Sequence, residues 1–130
     1  MNAPLFHFRA RVISGAGRGK TLGIPTLNLD LRDVPEHLDD GVFACRAVVN
    51  NQTFSATMHH GPRPTFGDTR SCEVHLIDET LLFPPNAVEV EVIAYLRGIS
   101  TFPSAAALSN QMKKDIRQAR KILKEPKESR

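Results

Sequence analysis

The apolar residues of this chain recur with two different periods, and the switch between them narrows the possible folds sharply. Phe6, Phe8, Ala10 and Val12 fall at every second position, as do Phe54, Ala56 and Met58. The longest such series is Val88, Val90, Val92, Ala94 and Leu96. Period 2 predicts strands with one face buried. Gly41–Val49 reads as a further strand, apolar on both faces, and Asn50-Asn51-Gln52 has the length of a hairpin connection into a strand over 53–59. From Leu108 the step changes. Leu108, Met112, Ile116, Ala119 and Leu123 form one stripe of an α-helix, with Lys113, Lys114, Arg117, Arg120 and Lys121 mostly away from it. Ser104, after Pro103, is positioned to cap its start, and Pro126 cannot continue it. Strands first and one amphipathic helix last predict a closed or nearly closed antiparallel sheet on which the helix buries its stripe. With 130 residues, 41% of them hydrophobic, the chain has material for one domain and one core, expected over about 9–123 with a basic tail at 124–130.

Composition excludes some classes of function. No apolar run nears the ~18 residues of a membrane span, and Met1 to Leu5 lack the basic and apolar regions of a signal peptide. A cytoplasmic protein away from the membrane is expected. Cys45 and Cys72 are too few for a disulfide framework and lack the paired spacing of a zinc site, so packing is their expected role. The net charge of +3 is unevenly spread: residues 113–130 carry eight Lys/Arg and three Asp/Glu, while the rest of the chain is slightly acidic. A basic helix face can touch RNA, but nucleic-acid barrels stack bases on exposed aromatics, and this chain has no Trp and only Tyr95 as tyrosine. A solvated helix face accounts for the charge more simply.

Ser14-Gly15-Ala16-Gly17-Arg18-Gly19-Lys20-Thr21 departs from the Walker A pattern only at its first position. A P-loop must run straight into a helix, whereas Gly23-Ile24-Pro25 follows here and would break one. The P-loop reading is rejected. What remains is either an ordinary turn or a loop whose backbone N–H groups, with Arg18 and Lys20, can wrap a polyphosphate. In Pro25-Thr26-Leu27-Asn28, alternation puts Thr26 and Asn28 on one side of an extended segment. A hydroxyl and an amide oxygen side by side either cap a turn or help hold a hydrated Mg²⁺, an ion that prefers oxygen ligands.

In Ser71-Cys72-Glu73-Val74-His75-Leu76-Ile77-Asp78, Val74 and Leu76 point one way and Glu73 and His75 the other. A carboxylate on such a strand is an ordinary surface group or, in a cleft, a base for an attacking hydroxyl. His75 reads better as a hydrogen-bonding partner than as a catalyst. His59-His60-Gly61-Pro62-Arg63-Pro64-Thr65-Phe66 is stiffened by its prolines. Its adjacent histidines cannot share a strand face and have no third ligand at a zinc spacing, so a rigid pocket wall with Arg63 open to an anion is the better reading.

Taken in order, these segments resemble the riboflavin kinase family. The resemblance rests on Gly23-Ile24-Pro25-Thr26-Leu27-Asn28, Gly41-Val42-Phe43, Gly61-Pro62-Arg63-Pro64-Thr65-Phe66, Glu73-Val74-His75-Leu76-Ile77-Asp78, Leu96-Arg97 with Phe102, and a helix bearing Leu108, Gln111, Asp115 and Ala119-Arg120. It implies a mainly β fold, a six-stranded antiparallel Greek-key barrel with the C-terminal helix packed on it. It further implies transfer of the γ-phosphoryl group of ATP to the terminal ribityl hydroxyl of riboflavin, giving FMN and ADP. ATP and Mg²⁺, with no zinc, would be held by Gly17, Arg18, Gly19 and Lys20 together with Thr26 and Asn28; Glu73 would be the base, and Arg63, Thr65 and Arg97 would wall the ligand pocket. Two stretches depart from the family pattern: Leu81-Leu82-Phe83-Pro84-Pro85, where an acidic residue and Leu-Tyr-Gly are usual, and His59-His60, where Asn-Ile is common. Many bacterial members fuse this module to an adenylyltransferase that makes FAD. No such domain lies in these 130 residues, so FAD synthesis is not expected of them. The competing expectation is the same barrel holding a flavin or nucleotide without transfer, against which the intact Thr26, Asn28 and Glu73 stand.

Overall fold

The computed structural model describes residues 4–13, 26–62, 69–81 and 83–124. Its elements are β1 (Phe6–Ile13), β2 (Thr26–Leu29), a 3-10 turn (Leu31–Asp33), β3 (Gly41–Val49), β4 (Gln52–Pro62), β5 (Arg70–Leu76), β6 (Ala87–Arg97) and one helix, α1 (Ala105–Leu123). The strands close into a barrel in the order β1-β2-β5-β4-β3-β6, every pair antiparallel. β3, β4 and β5 form a meander, and β6 returns to lie beside β3, which is the Greek-key arrangement. Each of the six strands thus has a strand neighbour on both sides.

Alternation sorts the side chains. Leu27, Leu29, Phe43, Cys45, Ala47, Met58, Val74 and Val90 point inward and fill the barrel. A second, smaller cluster lies outside it, where Ala119 and Leu123 of α1 cover Ala44, Ile77 and Ile93. This explains why Gly41–Val49 is apolar on both faces: Phe43 and Cys45 face the interior, and Ala44 faces the helix. Burying a side chain such as Leu123 contributes about 2 kcal/mol. Ser104 caps α1 as its position predicts, its hydroxyl accepting from the Ala107 N–H at 3.1 Å. Arg120 and Lys121 in the last turn favour the helix dipole.

One strand expectation is corrected. Val88, Val90 and Val92 are buried inside the barrel, but the regular alternation does not carry on to Ala94 and Leu96. The β3–β6 register shifts twice, so that Cys45 pairs with Val92 but Ala44 with Ala94, and Phe43 pairs with Tyr95 but Val42 with Arg97. Each shift inserts one residue. Ile93 and Ala94, then Leu96 and Arg97, therefore turn outward in succession toward α1, as β-bulges allow. The helix sets this local exception to period 2.

Two turns have clear sequence causes. Asn50 and Asn51, with φ of 50° and 68°, make the two-residue hairpin between β3 and β4, whose twist requires positive φ at both positions. Gly41 has φ of 154°, and a Cβ there would lie 2.6 Å from the Tyr95 ring and 2.9 Å from the Arg97 carbonyl oxygen. The Gly-Val-Phe segment thus starts with glycine because β6 crosses too closely for any side chain.

An ion network ties β1 to the segment after β2. The Arg11 guanidinium donates to both oxygens of Asp33 at 2.8 and 2.9 Å, and Arg32 donates to both oxygens of Asp30 at 3.1 and 2.7 Å. The side-chain bond from Arg32, helped by the Arg32 backbone N–H, holds the Asp30 carboxyl down at about 2, and the Arg11 side-chain bond lowers Asp33 likewise. Since the folded pKa of Asp30 lies below its ordinary 3.8, its contribution is fully present above about pH 4 and is lost as pH falls toward about 2. Denaturant unfolding of the native chain and of Arg32→Ala should therefore show a stability gap that is constant above about pH 4 and closes below it. A gap that stays open to pH 2 would remove Asp30 as its source.

Candidate active site

The pairing of β2 with β5 assembles the site. Thr26 lies opposite His75, Leu27 opposite Val74, and Asn28 opposite Glu73. Leu27 and Val74 belong to the interior core, so Thr26, Asn28, Glu73 and His75 share the outer wall of the barrel. The two polar pairs, separated by some 45 residues in sequence, thus form one patch. β4 extends it, since Thr57 pairs with His75 and His59 with Glu73. One row of outward positions runs Ile13, Asn28, Glu73, His59, Val42 and Arg97 across all six strands.

Within the patch, Glu73 is 9% exposed and accepts a hydrogen bond from the Ser71 hydroxyl to Oε2 at 3.1 Å. That bond fixes the carboxylate from its own strand. Thr26 Oγ1 lies 2.9 Å from His75 Nδ1. As adjacency on a strand dictates, the two histidines split: His59 joins the outer row, and His60 turns inward, its Nδ1 3.1 Å from the Asp39 carbonyl. The strand expected over 53–59 runs longer, with β4 spanning Gln52–Pro62. Gly61, at φ of 136°, has Asp40 packed 3.0 Å from where a Cβ would sit, and Asp40 in turn takes both terminal nitrogens of Arg70 at 3.2 and 2.7 Å. This fixes the β3–β4–β5 corner beside the patch.

Arg97 closes the far end of the row. Its Nε and Nη2 donate to the two carboxylate oxygens of Asp115 at 2.9 and 2.8 Å, its Nη1 donates to the Gly98 carbonyl at 3.1 Å, and its guanidinium lies 5.7 Å from the Phe102 ring centre. Gln111 also donates to Asp115, at 3.1 Å. Arg97 therefore clamps the helix onto the barrel. Gly17, Arg18, Gly19 and Lys20, and likewise Arg63 and Thr65, lie outside the described residues.

The chemistry of the donors can be read from these positions. Among the described residues, no three of His, Cys, Asp and Glu stand close enough to hold a metal together. The oxygens gathered here are the Thr26 hydroxyl and the Asn28 amide, with the Glu73 carboxylate across the strand pair. The hydroxyl and the amide oxygen fit a hard, hydrated divalent cation that takes its remaining ligands from water and phosphate. Neither cysteine offers a nucleophile: burial pushes the Cys45 thiol well up, and burial, with a smaller push from Glu73, raises Cys72 to about 12. Sequence reading singled out Thr26, Asn28, Glu73 and His75, which the structure brings together, but gave no role to Ser71 or Thr57. Ser71 has the same parity as Glu73 two residues on, a signal that was available; Thr57 required the β4–β5 register.

One outer wall of a closed barrel thus carries a carboxylate hydrogen-bonded from its own strand beside a hydroxyl and an amide. Comparison with known proteins gives the family. The sequence model of riboflavin kinase matches residues 3–123, and the chain belongs to the riboflavin kinase family. Human riboflavin kinase is 29% identical over 125 residues, which cover 91% of this chain and 81% of that protein. Among solved structures, riboflavin kinase from Trypanosoma brucei matches with a TM-score of 0.61 at 18% identity, over 93% of this chain and 81% of that one, a likeness of fold. A Streptococcus pneumoniae chain described as a macrolide-efflux protein matches with a TM-score of 0.78 at 31% identity, over 91% of this chain and 39% of that one. The chain spans less than half the length of several bacterial relatives it matches. No helix among the described residues is long and apolar enough to cross a membrane.

Proposed function

We propose that this chain is an ATP-dependent riboflavin kinase, moving the γ-phosphoryl group of ATP onto the terminal ribityl hydroxyl of riboflavin to give FMN and ADP. The observation that carries the reading is the β2–β5 register, which sets Asn28 opposite Glu73 and Thr26 opposite His75 on one wall. In this reading Glu73 accepts the hydroxyl proton as the ribityl oxygen attacks the γ-phosphorus. The bond from that phosphorus to the β,γ-bridging oxygen breaks, and ADP leaves with the electron pair. Ser71 holds the carboxylate in one orientation while the proton moves. Thr26 and Asn28 would hold Mg²⁺, which when bound offsets charge on the phosphate oxygens. The glycine-rich segment with Gly17, Arg18, Gly19 and Lys20 is assigned the ATP phosphates, and Arg63 and Thr65 the pocket wall. Arg97 serves that wall through the helix it holds. A cytoplasmic setting suits a chain whose two cysteines are free thiols.

Chromatography of riboflavin incubated with ATP, Mg²⁺ and the protein is expected to yield FMN, and a chelated control none. Riboflavin bound but not phosphorylated would favour the non-catalytic binding module instead. Folded protein with neither binding nor product would overturn the ligand assignment.

A further inference from the structure

We infer that His75 is a positioning residue, fixing the Thr26 hydroxyl in the orientation that the nucleotide's cation needs; the inference rests on the kinase reading above. The strand pairings treat the two oxygen ligands differently. Asn28 is flanked on both sides, by Ile13 of β1 and Glu73 of β5. Thr26, at the start of β2, lies beyond the β1 pairing, which involves only Asn28 and Leu29, and its cross-strand neighbour among the described residues is His75. A threonine hydroxyl chooses among three staggered positions about χ1, and a strand backbone does not by itself select one. The 2.9 Å contact between Thr26 Oγ1 and His75 Nδ1 does.

His75 is itself flanked on both sides, by Thr26 on β2 and by the buried Thr57 on β4. With the ring proton on Nε2, Nδ1 accepts the Thr26 hydroxyl proton. The threonine oxygen then directs lone pairs away from the ring, as a ligand to a hard cation requires. This is a task for the ring's δ nitrogen, so a side chain that carries a polar atom at that place should do much of it. Asparagine does; glutamine, whose amide reaches the place of Nε2, does not.

The test uses calorimetric titration of the full chain with ADP in the presence of Mg²⁺, alongside steady-state FMN formation. His75→Leu is expected to weaken Mg-ADP binding about 3- to 10-fold, the effect of one lost hydrogen bond. It should raise the KM for Mg-ATP by a similar factor while riboflavin affinity stays put. His75→Asn should recover most of the loss and His75→Gln little of it. In a Thr26→Val background, His75→Leu should cost nothing further. Should His75→Leu fail to fold, the Asn and Gln variants alone decide, by whether they differ. Equal behaviour of those two, unchanged binding in His75→Leu, or a full effect persisting without the Thr26 hydroxyl would each overturn the inference. A wild-type chain that forms no FMN would instead overturn the kinase reading.

Discussion

Glu73→Gln is expected to give a folded barrel that still binds ATP but forms FMN about 10²- to 10⁴-fold more slowly, the usual cost of losing one well-placed base. The substitution preserves shape. Glutamine can still accept the Ser71 hydroxyl through its amide oxygen, so the hydrogen bond seen at 3.1 Å need not be lost. What disappears is a group able to take a proton from the attacking ribityl oxygen. The effect should therefore fall on kcat, leaving nucleotide affinity and the unfolding midpoint near their native values. Ser71→Ala should act in the same direction but more weakly, because it loosens the carboxylate without removing it. Single-turnover FMN formation measured beside calorimetric ATP binding separates the effects. Near-normal turnover in Glu73→Gln would take Glu73 out of the catalytic role.

The second large effect concerns stability. Asp115 is 6% exposed at its side chain and Arg97 22%, and the pair is joined by two parallel hydrogen bonds, with Gln111 adding a third to the same carboxylate. Asp115→Ala leaves a mostly buried guanidinium with two donors stripped of their acceptor. Breaking one side of such a pair destabilises by about 3 kcal/mol, and in a domain of this size that lowers the unfolding midpoint by on the order of 10 °C. Replacing both partners with apolar residues of similar volume should recover much of the loss, because no charge is then left buried alone. A midpoint for Asp115→Ala within about 2 °C of the native chain would show that the clamp contributes little. Calorimetric melting of the single and double variants makes the comparison.

Much of this architecture is legible in the sequence where one physical effect dominates. Period 2 in Phe6 to Val12 and in Phe54 to Met58 reports strands with one apolar face, and the structure has them as β1 and β4. Ser104 marks the helix start because a cap needs a side-chain oxygen at that place. The signal fails beyond Val92, where the bulges serve the helix rather than the strand, and nothing local in Ile93-Ala94 announces a partner that arrives later in the chain. Asp115 shows the same limit from the other side. A hydrophobic stripe cannot flag a carboxylate that is buried only because Arg97 meets it. In the site, parity alone put Thr26 with Asn28 and Glu73 with His75. That these two pairs lie side by side is a matter of which strands meet and in what register, and the four residues of β2 do not announce β5 as their partner.

The strand order also sets a timetable for synthesis. β3, β4 and β5 pair with immediate chain neighbours and can assemble as soon as they leave the ribosome. β1, made before any of them, meets β2 over two residues but pairs along most of its length with β6, since Phe6 pairs with Val92 and Arg11 with Ala87. The first strand made is thus closed by the last, and a nascent chain halted before residue 87 lacks the partner that seals the barrel. Contacts of such long sequence separation form slowly. During that interval the inward side of β1, with Phe6, Phe8 and Ala10, lacks the strand that pairs with it along most of its length.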